Sequence, residues 1–225
     1  MLDLASEYRD NGVAPDVMVA LGDPGYETVR RVVQGGHDLL IKTAEGVALF
    51  NREVESFSQS LPRLCPCPVW LLKPDQPRQF NCVLAVVDAS TDSRVNRDLN
   101  RRVLEQASQI AKRESAALHV VSVWNIGLEY SPRTQMGDAT VDVMTTEYES
   151  QLHGHLDGLL SDINLPIHEM CRHVHRGNAV EAIRTGVEQA NADLVVMSLP
   201  CRTGISGLLI GNTAESVLND VKCSV

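Results

Sequence analysis

The sequence predicts an α/β fold in three layers, a parallel sheet with helices on both faces, and predicts it twice in tandem with the first copy incomplete. Three observations carry this reading. From residue 82 onward, short β-branched runs alternate with amphipathic stretches, the pattern of strands joined by crossover helices. The run Cys82-Val83-Leu84-Ala85-Val86-Val87 is apolar throughout, as suits a strand covered on both faces. The chain also repeats itself. Gly22 to Glu27 followed by Asp38-Leu39-Leu40-Ile41 parallels Gly177 to Glu181 followed by Asp193-Leu194-Val195-Val196, with Asp38 and Asp193 offset by 155; Cys67-Pro68-Val69 parallels Cys223-Ser224-Val225, offset by 156.

Taken in order, the first strand of the second copy ends at Asp88, and the polar Ala89-Ser90-Thr91-Asp92 can cap the helix that follows. That helix carries Val95, Leu99, Val103, Ala107 and Ala111 at four-residue spacing, read as its buried stripe. A second strand, Leu118 to Trp124, precedes a loop marked by Gly127, Pro132 and Gly137. The next helix shows Leu152, Leu156, Leu159 and Ile163 on one face, with His153 and His155 off it. A third strand, near Ile167 to His175, turns at Gly177-Asn178, and Asn178 caps a helix with Val180, Ile183 and Val187. A fourth strand, Asp193 to Met197, leads into a glycine-rich loop from Ser198 to Gly211 and a last helix with Ala214, Val217, Leu218 and Val221.

The expected domains are 1–76, a copy lacking its opening strand, first helix and second strand, and 77–225, a copy lacking most of its last strand. The proline-bearing polar segment Lys73 to Arg78 links them. Both ends of the chain read as clipped.

Composition bounds the function. With 225 residues, 44% hydrophobic and 22% charged, the chain is of ordinary globular make-up, which excludes a disordered, collagen-like or coiled-coil protein. Twenty basic residues against 29 acidic give a net charge of −9, a field that repels nucleic acid. No apolar run is long enough to span a membrane, and the charged start lacks a signal peptide's apolar stretch, so the expected compartment is the cytoplasm. The six cysteines are then expected to be reduced thiols.

At Arg202-Thr203-Gly204-Ile205-Ser206-Gly207-Leu208-Leu209-Ile210-Gly211-Asn212-Thr213-Ala214-Glu215 the chain resembles the universal stress proteins. The Cys65-Pro66-Cys67-Pro68-Val69-Trp70 and Gly36-His37-Asp38-Leu39 segments are similar to the tandem, UspE-like type. The resemblance implies a Rossmann-like fold of the adenine nucleotide alpha hydrolase kind and a role in the stress response. It further implies a site built from Asp88, Val123, Met197, Ser198, Cys201, Arg202, Thr203, Gly204, Gly211, Asn212 and Thr213, with Asp88 and Val123 beside an adenine. Nucleotide-binding members have glycine three and ten positions apart before a final glycine that precedes Ser, Thr or Asn. Here the final Gly211-Asn212 is present, but the two earlier positions are Cys201 and Ser198, and Pro200 removes a backbone donor from the cradle. In the first copy the corresponding loop, Thr43-Ala44-Glu45-Gly46-Val47, shows no such pattern. Trp70 stands in what resembles the terminal strand through which such domains pair, which implies pairing of the two copies, with higher homo-oligomers open.

Three functions remain open at this level: a non-enzymatic binding module with a degenerate loop and no cofactor, an ATP or adenine-nucleotide sensor using residues 198–213, and a carrier of an apolar ligand enclosed by the insertion Ile126 to Met144. Catalysis survives only as weak ATPase activity, since no triad, metal cage or general-base pair stands near the loop. Asp88 is open between adenine contact and N-cap of the next helix. His168, Cys171, His173 and His175 are of zinc-ligating type, but adjacent ligands on one strand make a poor cage, and no metal is expected.

Overall fold

The computed structural model describes residues 14–43, 57–73, 77, 79–124, 137–161, 170–198, 216–218 and 220–225. Their elements, in chain order, are α1 (Pro24–Gly35), β1 (Leu40–Thr43), α2 (Phe57–Leu64), β2 (Val69–Leu72), β3 (Cys82–Val87), α3 (Arg94–Glu114), β4 (Ala117–Trp124), α4 (Asp138–Ser161), β5 (Met170–Arg176), α5 (Ala179–Ala190) and β6 (Leu194–Met197). β1 and β2 form a two-stranded sheet. The strands β3 to β6 form a parallel sheet in the order β5-β4-β3-β6. The chain divides into two compact units: α1 and α2 belong to one, while Trp70–Leu72 and everything from β3 onward belong to the other.

In the larger unit the alternation along each strand sorts residues onto two buried faces. Val83, Ala85 and Val87 of β3 and Leu118, Val120 and Trp124 of β4 pack under α3 and α4, with Leu104, Leu152 and Leu156. Cys82 and Leu84 of β3, Val121 of β4 and Val195 of β6 face the other way, against Ile183 and Val187 of α5 and Val217 and Val221 near the C-terminus. The unbroken apolar run of β3 thus follows from its place in the middle of a sheet covered on both sides.

The helices differ from expectation in two places. Val95 is 72% exposed, and the buried residues of α3 are Asn100, Val103, Leu104, Ala107, Ser108 and Ala111. A strict four-residue spacing drifts about 40° per step around a helix, so a stripe that is buried at Ala107 has rotated to solvent three steps earlier. The second difference is α4, which begins at Asp138, well before its first expected apolar residue, Leu152. Thr145 and Thr146 sit in its early turns, each donating its hydroxyl to a backbone oxygen four residues back, Val141 O at 2.7 Å and Asp142 O at 3.0 Å.

The repeat is visible in the backbone. Gly22 and Gly177, 155 apart, both take positive φ, +138° and +125°, which glycine adopts without strain. Asp23 and Asn178, also 155 apart, are the N-caps of α1 and α5: Asp23 accepts from Tyr26 N–H, Asn178 from Val180 and Glu181 N–H. Gly36 and Asn191, again 155 apart, close those helices in left-handed conformation. At the C-terminus Ser224 bridges Leu194 in parallel register, and Leu71 and Val225 exchange both backbone bonds, Leu71 N–H to Val225 O at 2.7 Å and Val225 N–H to Leu71 O at 3.1 Å.

Truncating the completely buried Leu104 to alanine is expected to cost about 2–5 kcal/mol of unfolding free energy, whereas Val95→Ala should stay within about 0.5 kcal/mol. Urea unfolding of the two variants checks this, and equal losses would contradict the observed face of α3.

Candidate functional site

β3 ends at Asp88 because side chains, not a neighbouring strand, take both of its backbone groups. Asp88 N–H donates to Asn100 Oδ1 at 3.0 Å, and Asp88 O accepts from Asn100 Nδ2 at 2.7 Å and from Asn96 Nδ2 at 2.6 Å. Asn96 Nδ2 also reaches Thr91 O at 2.8 Å. Asn100 is 1% exposed, a buried amide on the core face of α3 with both ends occupied. The next residue is held as firmly: Ala89 N–H donates to the buried Ser122 Oγ at 3.2 Å, and His155 Nδ1 lies 3.2 Å from Ala89 O. Tyr148 Oη donates to Ser90 O at 3.2 Å while its ring lies 5.4 Å from that of Trp124.

This scaffold leaves the Asp88 side chain exposed. Its Oδ1 accepts from Ser90 N–H at 2.9 Å and from the Ser90 hydroxyl, the turn that aspartate characteristically makes with the residue two positions on. It does not cap α3: that N-cap is Ser93, whose hydroxyl oxygen accepts from Asn96 N–H at 3.3 Å. The N-cap reading of Asp88, and of the Ala89 to Asp92 segment, is corrected accordingly.

Val123 stands near the end of β4, half-buried and paired in register with His175 of β5. Met197 ends β6 in register with Val86, and Ser198 follows, both half-buried. Val86, Val123 and Met197 pack against the same core cluster, on the α5 side. The four expected site residues that the structure describes, Asp88, Val123, Met197 and Ser198, therefore gather at the carboxyl ends of three adjacent strands. The chain passes from β3 outward to β4 and β5 and then returns to place β6 on the other side of β3, so these ends flank the point where strand order reverses, the usual place for a ligand crevice in an open α/β sheet. Cys201, Arg202, Thr203, Gly204, Gly211, Asn212 and Thr213, together with Pro200, lie outside the described residues.

Beside this edge runs a column of imidazoles. His119 Nδ1 lies 3.0 Å from His173 Nε2 with the rings stacked at 5.1 Å, and the His173 and His175 rings are parallel at 6.3 Å. His175 Nε2 is buried without a hydrogen-bond partner among the described residues. No group of three or more His, Cys, Asp or Glu is placed to hold a metal ion among the described residues, and His168 lies outside them. Burial lowers the pKa of His119 and His173 below the usual 6.5, and the neighbouring imidazole, His173 for the first and His175 for the second, lowers it further. Sequence reasoning missed Asn96, Asn100, Ser122, Tyr148 and His119; each acts on a residue distant in sequence or breaks an apolar stripe, and only Asn100, a polar residue inside the α3 face, leaves a local signal.

Two outcomes follow. Asn100→Ala strands the amide of Asp88, whose carbonyl keeps Asn96 Nδ2, and should cost about 1–3 kcal/mol by urea unfolding, while Asp88→Ala, altering an exposed side chain, should cost less. For the histidines, the folded chain binds fewer protons than the unfolded one once pH falls below 6.5, so stability is full above that pH and is lost as pH drops through the lowered folded pKa values. Unfolding midpoints measured from roughly pH 8 to pH 5 should fall on the acid side, and His173→Gln should flatten the fall; an unchanged slope would contradict the coupling.

Comparison with known proteins agrees with this architecture. The profile described as the universal stress protein family matches residues 80–225. Universal stress protein E of Photorhabdus laumondii is 27% identical over 233 residues, covering 97% of this chain and 70% of its own length. The protein of the same name from Escherichia coli K12 is 27% identical over 232 residues, with 98% and 70% covered. A solved structure from Pseudomonas aeruginosa PAO1, described as functionally unknown, superimposes with a TM-score of 0.79 at 25% identity, covering 99% of this chain and 74% of that one. With a parallel α/β/α sheet, a backbone repeat of 155 residues and a family match over most of its length, the chain belongs to the universal stress protein family.

Proposed function

We propose that this universal stress protein serves the stress response by binding, without chemistry of its own, and that its ligand or partner seats at the carboxyl ends of β3, β4 and β6. The observation that carries the reading is the Asp88 carboxylate, exposed on a backbone clamped by Asn100 and Asn96 at the reversal point of the sheet. Such a group is positioned to accept hydrogen bonds, and half-buried Val123 and Met197 offer apolar surface near it. Against a triphosphate stand the residues Ser198, Pro200 and Cys201: a phosphate cradle needs close approach by free N–H groups, which glycine allows and proline removes. The reading places the protein in the cytoplasm. Pairing of the two copies through the strands containing Leu71 and Val225 belongs to it, and the reciprocal backbone bonds of those residues support it.

A second reading, an adenine-nucleotide sensor, is favoured by one feature: Asp88 is free of capping duty and stands level with Val123, an arrangement suited to an exocyclic amine above an apolar wall.

Native mass spectrometry of freshly purified protein, with and without added ATP, separates the two. The proposed function predicts no retained nucleotide and no ATP adduct. A retained nucleotide, or ATP binding that Gly211→Ala weakens, would overturn it in favour of the sensor, and an apolar adduct would favour a carrier.

A further inference from the structure

The Cys65-Pro66-Cys67 turn takes no part in the binding edge described above. α2 runs out where Cys65 N–H donates to Leu61 O at 2.9 Å, Pro66 has no N–H to continue the helix, and Leu40 N–H ties the start of β2 down at Pro68 O, 3.0 Å away. The result sets two thiols side by side: Cys65 Sγ and Cys67 Sγ are 3.4 Å apart, share a hydrogen bond and are each half-buried, within reach of a small solute. Cys82 and Cys223, by contrast, are buried, and burial pushes their thiols up to about 11.

We propose that Cys65 and Cys67 form a reversible thiol–disulfide modification site, oxidised to an intramolecular bridge by a low-molecular-weight disulfide such as glutathione disulfide. The sulfurs must approach from 3.4 Å to about 2.04 Å, a closure that side-chain rotation supplies. Burial, then the hydrogen bond and charge of Cys65, push the Cys67 thiol up to about 11, so Cys67 keeps its proton and the first attack falls to Cys65. In the first exchange the Cys65 thiolate bonds to one glutathione sulfur, the glutathione S–S bond breaks, and one glutathione leaves with the proton that Cys65 gave up. In the second, Cys67 loses its proton, its sulfur attacks Cys65 Sγ, and the second glutathione leaves and is protonated. Two protein thiols are oxidised, one glutathione disulfide is reduced to two glutathiones, and no other reactant is needed. The ring so closed spans only three residues, one a proline, which makes the bridge strained and readily reversed, and it would lock the turn between α2 and β2.

The test incubates the full-length chain with excess glutathione disulfide, quenches with acid, alkylates the free thiols and maps peptides by mass under non-reducing conditions. The expected product has lost two hydrogens, both from the peptide holding Cys65 and Cys67, and dithiothreitol restores them. Neither Cys65→Ser nor Cys67→Ser should form the bridge, and Cys67→Ser should trap one glutathione on Cys65; circular dichroism checks that both variants keep the fold. A glutathione retained on Cys65 of the unaltered chain, two thiols still free, or a bridge from either to Cys171 or Cys201 would overturn the proposal.

Discussion

The buried amide of Asn100 is the contact on which the rest of the functional edge depends. By taking the N–H and C=O of Asp88 it ends β3, turns the chain out of the sheet without leaving these backbone groups unpaired, and ties that turn to α3. Pairing this buried amide with Asp88 is worth more than its net hydrogen-bond energy, because its loss leaves the Asp88 N–H without a partner while the carbonyl keeps only Asn96 Nδ2. Ser122, Asn96, Tyr148 and His155 then reinforce residues 88–91 from β4, α3 and α4. A side chain carried on such a turn has its position set by the core and only its carboxylate open to solvent.

Burial of the sheet on both faces makes that anchoring possible. β3 sits between β4 and β6, and its two sets of alternating residues enter separate cores, so the strand cannot slide by one residue without exchanging every side chain between them. Register fixed this way also brings Val123 and Met197 to the same level as the end of β3. The site is therefore a consequence of packing in the sheet rather than of the loops alone.

Much of this was legible in the sequence because it is local. The bounds of β3, its end at Asp88 and the Asn178 cap each follow from a run of residue types or a single turn signal, and the 155-residue repeat showed itself in matched glycines and caps. What was not legible depends on competition or on distance. Asp88, Ser90, Asp92 and Ser93 are all cap-forming types in one short stretch, and it is Ser93, immediately before Arg94, that caps the helix, while the Asp88 carboxylate turns back on Ser90. Val95 was misplaced by reading a four-residue spacing as if it followed the helical turn. The pairing of His119 with His173 joins residues of separate strands, so nothing in either local segment announces it.

Native-state amide hydrogen exchange at Asp88 tests the account most directly, since it reads the Asn100 clamp without any ligand. The account predicts an Asp88 N–H protected nearly as well as the β3 amides that precede it, and an Asn100→Ala chain in which that protection is lost. An Asp88 amide that exchanges in the unaltered protein at the rate of an exposed loop would contradict it.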